Sequence, residues 1–165
     1  SLTREQDVFI SLEERGRQAN RLKADLFVSL HFNALDNKSV SGVETYAFTP
    51  LNQPSSARSD LHSSDRETYA GQSDGPWSSL VAYYVQRSLV GALKSSDRGL
   101  KRARFTVLRD LEMPGLLVEG GFITSSTEGR NIGSAAYRDT MARAIVEGIL
   151  VYKSTLDRLQ EGTQR

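Results

Sequence analysis

Two segments of this 165-residue chain place a reactive side chain directly after a run of apolar residues: Phe27-Val-Ser-Leu-His31-Phe-Asn33 and Leu116-Leu-Val-Glu119-Gly-Gly-Phe122. A carboxylate that follows three consecutive apolar strand residues is costly to desolvate unless it is paired, protonated or beside a metal. Partial burial also raises its pKa, which suits a general base near neutral pH. Glu119 is therefore the candidate acid/base, and an ion pair with a cation such as Arg109 is the alternative reading. His31 is a candidate metal ligand or a hydrogen-bonded strand-end residue. Asn33, two residues on, shares its face and is placed to orient something bound there. His62 lies in the polar Ser59–Asp65 segment, where a solvated loop is the default; holding a metal from it would require ordering that loop.

Composition narrows the chemistry. The chain has no Cys, which removes disulfide scaffolds, thiolate zinc sites and Cys nucleophiles together. With His31 and His62 as its two histidines, any metal centre must lean on carboxylates or on residues outside this chain. Gly71-Gln-Ser-Asp-Gly75 fits Gly-x-Ser-x-Gly in its letters but follows no apolar strand, and neither a Gly-x-Gly-x-x-Gly nor a Gly-Lys-Ser/Thr loop is present, so a serine hydrolase and a nucleotide cradle both lose support. A formal charge of +1 gives no general pull toward nucleic acid. No apolar run approaches the ~18 residues that a membrane span needs. No basic, apolar leader opens the sequence, and a start on Ser1 suggests processing or a piece of something longer.

The elements that must position these residues are legible from pattern. Ser11-Leu-Glu-Glu14 reads as a capping box, and Leu12, Arg15, Ala19 and Leu22 predict a helix over 12–23. Leu26 to Leu30 is apolar on both parities, as in a strand buried on both faces, and Val43–Thr49 predicts a second strand. Residues 50–78 form a long Ser-, Asp-, Gly- and Pro-rich insert, which predicts a lid or a disordered loop. A helical stripe follows over 80–93, then short strands at Phe105–Leu108 and Leu116–Val118, and a last helix from about Ser134. The Lys101-Arg102-Ala-Arg104 run reads as a solvated face. Strands alternating with helices predict an α/β layered domain with a largely parallel sheet flanked by helices on both faces. Ligands then bind outside the carboxyl ends of the strands, where His31 and Glu119 fall. One domain spans 1–155, and a polar tail follows over 156–165.

The chain resembles the zinc-dependent N-acetylmuramoyl-L-alanine amidases that cleave bacterial peptidoglycan. The resemblance rests on Leu2-Thr-Arg4, Leu12-x-x-Arg15-x-x-x-Ala19-Asn20, Ala24-Asp25-Leu26-Phe27 into Ser29-x-His31-x-Asn33-Ala34, Gly42-x-Glu44-x-Tyr46, Asp97-Arg98-Gly99-Leu100-Lys101 through Val107-Leu108-Arg109 and Met113-Pro114, and Val118-Glu119-x-Gly121-Phe122-Ile123. It implies zinc held by His31, with Glu119 moving the proton of a zinc-bound water during cleavage of the amide between muramic acid and L-alanine. It further implies Asn33 and Arg109 as orienting residues, a peptidoglycan partner, work in the periplasm or outside the cell, and room for a regulatory protein partner. The family takes another His and a Glu from positions upstream of this chain, so the resemblance implies an N-terminally incomplete catalytic domain. The family's Asn past the catalytic Glu is Ser125 here. Two other readings stand beside it. One is a degenerate amidase domain that binds peptidoglycan without cutting it. The other is an α/β domain whose His31 and Glu119 are structural and whose long loop binds a protein.

Overall fold

The computed structural model describes residues 1–163. In chain order the elements are α1 (Leu12–Arg21), β1 (Phe27–Asn33), β2 (Val43–Phe48), two 3₁₀ turns (Ser63–Arg66 and Ala70–Gln72), α2 (Gly75–Leu93), β3 (Asp97–Ala103), α3 (Thr106–Arg109), β4 (Gly115–Phe122), α4 (Glu128–Gly133) and α5 (Ala135–Thr163). The strands form one sheet in the order β1-β4-β2-β3, flanked by helices, which is the α/β class expected from the alternation. Phe27 N donates to Pro114 O and Ile123 N to Asn33 O, so β1 and β4 run the same way. Val43 N to Ser96 O and Thr49 N to Ala103 O do the same for β2 and β3. Glu128 accepts from Gly42 N, just before β2, and from Phe122 N, at the end of β4, which sets the central pair antiparallel. Two of the three neighbouring pairs are thus parallel.

The chain divides into two compact units. The first comprises Ser1–Ser29, Tyr46–Ser79 and Lys101–Leu117. Ser11 caps α1 by accepting from Glu14 N at 3.2 Å, which is half of the expected capping box; the Glu14 carboxylate pairs with Arg17 and Arg21 instead. The helix buries Ala19 with Phe27, Phe48, Val107, Leu108, Leu111, Met113 and Leu117. Each large apolar side chain so buried is worth about 1.5–3 kcal/mol. Asn20 ties the helix down by donating to Asp110 O and accepting from Glu112 N.

The insert belongs to this unit and is tied down by hydrogen bonds. Its stretch ends at residue 74, because Gly75–Ser78 already form the first turn of α2. Asp65, 0 % exposed, accepts from Arg58 Nη2 at 2.9 Å, Arg104 Nε at 2.7 Å and His62 N at 2.8 Å. These donors hold its carboxyl well below the usual carboxylate range, the His62 amide first and Arg104 next. Arg104 also donates to Pro50 O at 2.9 Å. The expected solvated face at 101–104 therefore fails at Arg104, which is half of a buried ion pair.

The second unit comprises Leu30–Thr45, Leu80–Leu100 and the chain from Val118. Val81, Ala82, Val85 and Leu89 of α2 are fully buried, as are Val43 and Thr45 of β2. Thr45 Oγ1 donates to Ala82 O at 3.1 Å, and Gln86 Nε2 bridges Val43 O and Asp97 Oδ1. A Cβ on Gly148 of α5 would stand 2.6 Å from Val85 Cα, so only glycine lets these helices approach this closely.

Four expectations change. Phe105–Leu108 is not a strand: Thr106–Arg109 is helical and Phe105 is its cap. The strand is instead Asp97–Ala103, whose charged sequence masks it. Leu30 is 58 % exposed, so β1, at the edge of this sheet, is not buried on both faces along its length. The polar stretch from 156 continues α5 to Thr163, supported by pairs such as Lys153–Asp157 at 2.9 Å; residues 164 and 165 of that expected tail lie outside the described residues.

Candidate active site

The carboxyl end of β4 carries Glu119 and that of β1 carries His31 and Asn33, all in the second unit. Along β4, Leu116, Leu117 and Val118 are buried, and Glu119 follows them into partial burial. Its Oε2 is shielded from solvent and has no hydrogen-bond partner among the described residues. Desolvation, and next the charge of Glu44, push the Glu119 carboxyl up to about 7. A group with that pKa accepts and returns a proton near neutrality.

Glu44 is the residue that strand-end reasoning passed over. It stands in β2, 2 % exposed, between the fully buried Val43 and Thr45. Its Oε1 accepts from Asn33 Nδ2 at 3.2 Å and its Oε2 from Arg98 Nε at 2.9 Å. Arg98 in turn lies over the Phe122 ring, 5.0 Å from its centroid. Asn33 therefore has a definite job, since it fixes Glu44 and uses its own Oδ1 to accept from Ala34 N at 2.8 Å. One signal was available in the sequence: a carboxylate inside the apolar run Val43-Glu-Thr-Tyr-Ala-Phe48 needs a partner.

The Gly120–Gly121 pair has two separate reasons. Gly121 adopts φ +120°, and a Cβ there would come within 3.1 Å of Glu128 Oε2. Gly120 lies under Met141, and its carbonyl accepts from Tyr137 Oη at 2.9 Å. Burial, with the nearby Glu128 charge adding to it, pushes the Tyr137 phenol up to about 12, so it remains a donor. Ser125 is a buried turn residue, its N donating to Phe122 O.

The remaining sequence candidates belong to the first unit. Arg109 lies in the first unit, where it pairs with Asp110 at 3.2 Å and covers the Tyr69 ring at 5.5 Å. The cation proposed as the structural partner of Glu119 is thus engaged by another carboxylate. His62 is exposed at the start of the 3₁₀ turn in the insert. Among the described residues no group of three or more His, Cys, Asp or Glu side chains is arranged to hold a metal ion. His31 offers one imidazole, while Glu44 is engaged by Arg98 and Asn33. The donors present therefore do not fit a complete catalytic zinc site, which takes three protein ligands.

Fold and site together define an α/β domain with a partly desolvated carboxylate, Glu119, on its sheet. The chain belongs to the N-acetylmuramoyl-L-alanine amidase family, whose model matches residues 1–151. It is 35 % identical over 151 residues to the N-acetylmuramoyl-L-alanine amidase LytC of Bacillus subtilis, covering 92 % of this chain and 26 % of that protein. To AmiA of Escherichia coli it is 30 % identical over 174 residues, covering 92 % of this chain and 60 % of that one. Among solved structures, the N-acetylmuramoyl-L-alanine amidase of Clostridium difficile 630 superposes with a TM-score of 0.74 at 34 % identity, covering 92 % of this chain and 70 % of that one. The chain thus spans between about a quarter and three fifths of the length of these two curated relatives.

Proposed function

We propose that this protein hydrolyses the amide between N-acetylmuramic acid and L-alanine in peptidoglycan, with Glu119 as general base and then general acid. The observation that carries the reading is the Glu119 carboxyl, shielded, without a hydrogen-bond partner at Oε2 among the described residues, and poised near neutrality in a member of this family. Glu119 takes a proton from the attacking water as its oxygen bonds to the lactyl carbonyl carbon. The carbon–nitrogen bond then breaks, and Glu119 returns the proton to the departing amine of L-alanine. Asn33 and Arg98 hold Glu44, whose charge keeps Glu119 basic enough for the first step. A zinc ion held in part by His31 belongs to the same proposal. One imidazole does not make that site, and the proton transfers rest on Glu119 alone. A peptidoglycan substrate puts the work in the cell envelope. Among the described residues no helix is long and apolar enough to cross a membrane.

The test is digestion of purified peptidoglycan, with release of new L-alanine amino termini followed by mass spectrometry. Glu119→Gln should lower the rate by roughly 10²–10⁴ fold, the usual contribution of a positioned acid/base. Cleavage by the Gln variant at the wild-type rate refutes the assignment. A second reading, binding without cleavage, is favoured by one observation, the absence of a three-donor metal group among the described residues. Under that reading the wild type co-sediments with peptidoglycan and releases no amino termini.

A further inference from the structure

Glu128 takes no part in the chemistry above, yet its carboxylate bonds at or beside one end of each of the three strands that carry Glu44, Arg98 and Glu119. It is 7 % exposed at the start of α4. Its Oε1 accepts from Gly42 N at 2.9 Å and from Ser95 Oγ at 2.8 Å, and its Oε2 accepts from Phe122 N at 2.9 Å. Gly42 stands two residues before Glu44, Ser95 three before Arg98, and Phe122 three after Glu119. One carboxylate therefore fixes the start of β2, the turn into β3 and the end of β4. Both flanking glycines are shaped to admit it. Gly42 has φ +118° and no room for a Cβ, which would meet Ser96 O at 2.7 Å, and Gly121 has φ +120° beside Glu128 Oε2.

We infer that Glu128 is a positioning residue that sets the spacing of Glu44, Arg98 and Glu119 by stapling the three strand ends that carry them. The inference deepens the reading of Glu119 as acid/base and rests on it for its catalytic consequence. Charge-assisted bonds to buried amides are about twice as strong as neutral ones, and each amide that loses its acceptor is left desolvated. A Gln at this position keeps one acceptor oxygen and turns its NH₂ toward a donor. The Ser95 hydroxyl can rotate, but the amide of Gly42 or of Phe122 loses its acceptor. The strand end it belongs to is then free to shift, and misplacement by about 1 Å costs up to about 10² in rate.

The experiment compares wild type, Glu128→Gln and Glu128→Asp, with Gly148→Ala as a variant strained away from the site. Expected for Glu128→Gln is a 10- to 100-fold drop in kcat with KM within twofold, partial recovery in Glu128→Asp, and no comparable kcat loss in Gly148→Ala. In parallel, amide hydrogen exchange by NMR should speed up at least tenfold at Gly42 or Phe122 and stay unchanged at Phe27. Unchanged kcat, or unchanged exchange at both amides, overturns the inference. A kcat loss of the same size in Gly148→Ala also overturns it, because general destabilisation would then explain the effect. If the wild type itself cleaves nothing, the acid/base reading fails. The staple is then judged by exchange together with the side-chain carboxyl signals of Glu44 and Glu119, which must move in Glu128→Gln.

Discussion

Replacing Glu119 by Gln should make the protein more stable at alkaline pH while removing its activity. The carboxyl is raised from its ordinary value of 4.5 to about 7. At about 1.4 kcal/mol per pKa unit, that shift corresponds to about 3 kcal/mol of stability that depends on the protonation of one side chain. The sign follows from the direction. The fold favours the neutral acid, so the contribution is fully present below pH 4.5 and is lost as the pH rises through about 7. Gln cannot ionise and keeps the neutral form at every pH. Urea unfolding of both proteins at pH 4 and pH 8.5 measures the effect. The stability difference between variant and wild type should move in favour of the variant by about 3 kcal/mol between the two pH values, or roughly 6–12 °C in Tm for a chain of this size. Comparing the two pH values cancels any fixed cost of placing an amide in the site. A difference that does not change with pH would show that Glu119 is not held out of water by the fold. Glu119 would then not be poised to exchange a proton near neutrality.

Three further outcomes follow from the packing. Gly148→Ala should cost about 1–3 kcal/mol in chemical denaturation, since the new methyl group meets the α2 backbone at Val85 and one helix must retreat. Gly71→Ala should destabilise the insert by a similar ~1–3 kcal/mol, because its Cβ would fall 2.2 Å from Leu108 O, and a backbone atom cannot swing away. Asp65→Asn should expose the arc from Leu51 to Arg66 to limited proteolysis. Because the Asp65 carboxyl is held below its ordinary 3.8, the wild-type contribution is present above that pH and disappears on acidification. The variant should accordingly lose less stability than wild type on going below pH 3.8.

Glu119, His31 and Asn33 stood out as candidates because each follows or interrupts an apolar run, where a polar group must have a reason. Helices α1, α2 and α5 showed themselves by spacing and by the cap at Ser11. What stayed hidden was hidden by side chains whose local character contradicts their place. Asp97–Ala103 is a strand made largely of charged and glycine residues, because at the sheet edge Arg98 turns to Glu44 and Lys101 to the Tyr46 ring. Arg104 reads as surface charge until Asp65, 39 residues earlier in sequence, is brought against it. Glu128 sits in a six-residue helix with no periodicity to advertise it, and its meaning lies in two backbone amides 80 residues apart. Pattern reports what a segment does to its own neighbours in sequence, whereas these groups are defined by distant ones.

The strand order also has a kinetic consequence. β4 is the last strand in the chain yet lies between β1 and β2. Its first bond to β1 joins Pro114 to Phe27 and its last joins Ile123 to Asn33, so closing the sheet means bridging nearly 90 residues of chain. Contacts of such long range are slow to form, because the entropy of closing the loop is spent before the pairing returns anything. Until β4 inserts, β1 and β2 have no partner between them, and the apolar run Leu116-Leu-Val118 is available to other molecules. The same central strand that delivers Glu119 therefore governs when the protein becomes safe from self-association. Refolding should be limited by the arrival of β4 and should lose yield steeply as protein concentration rises.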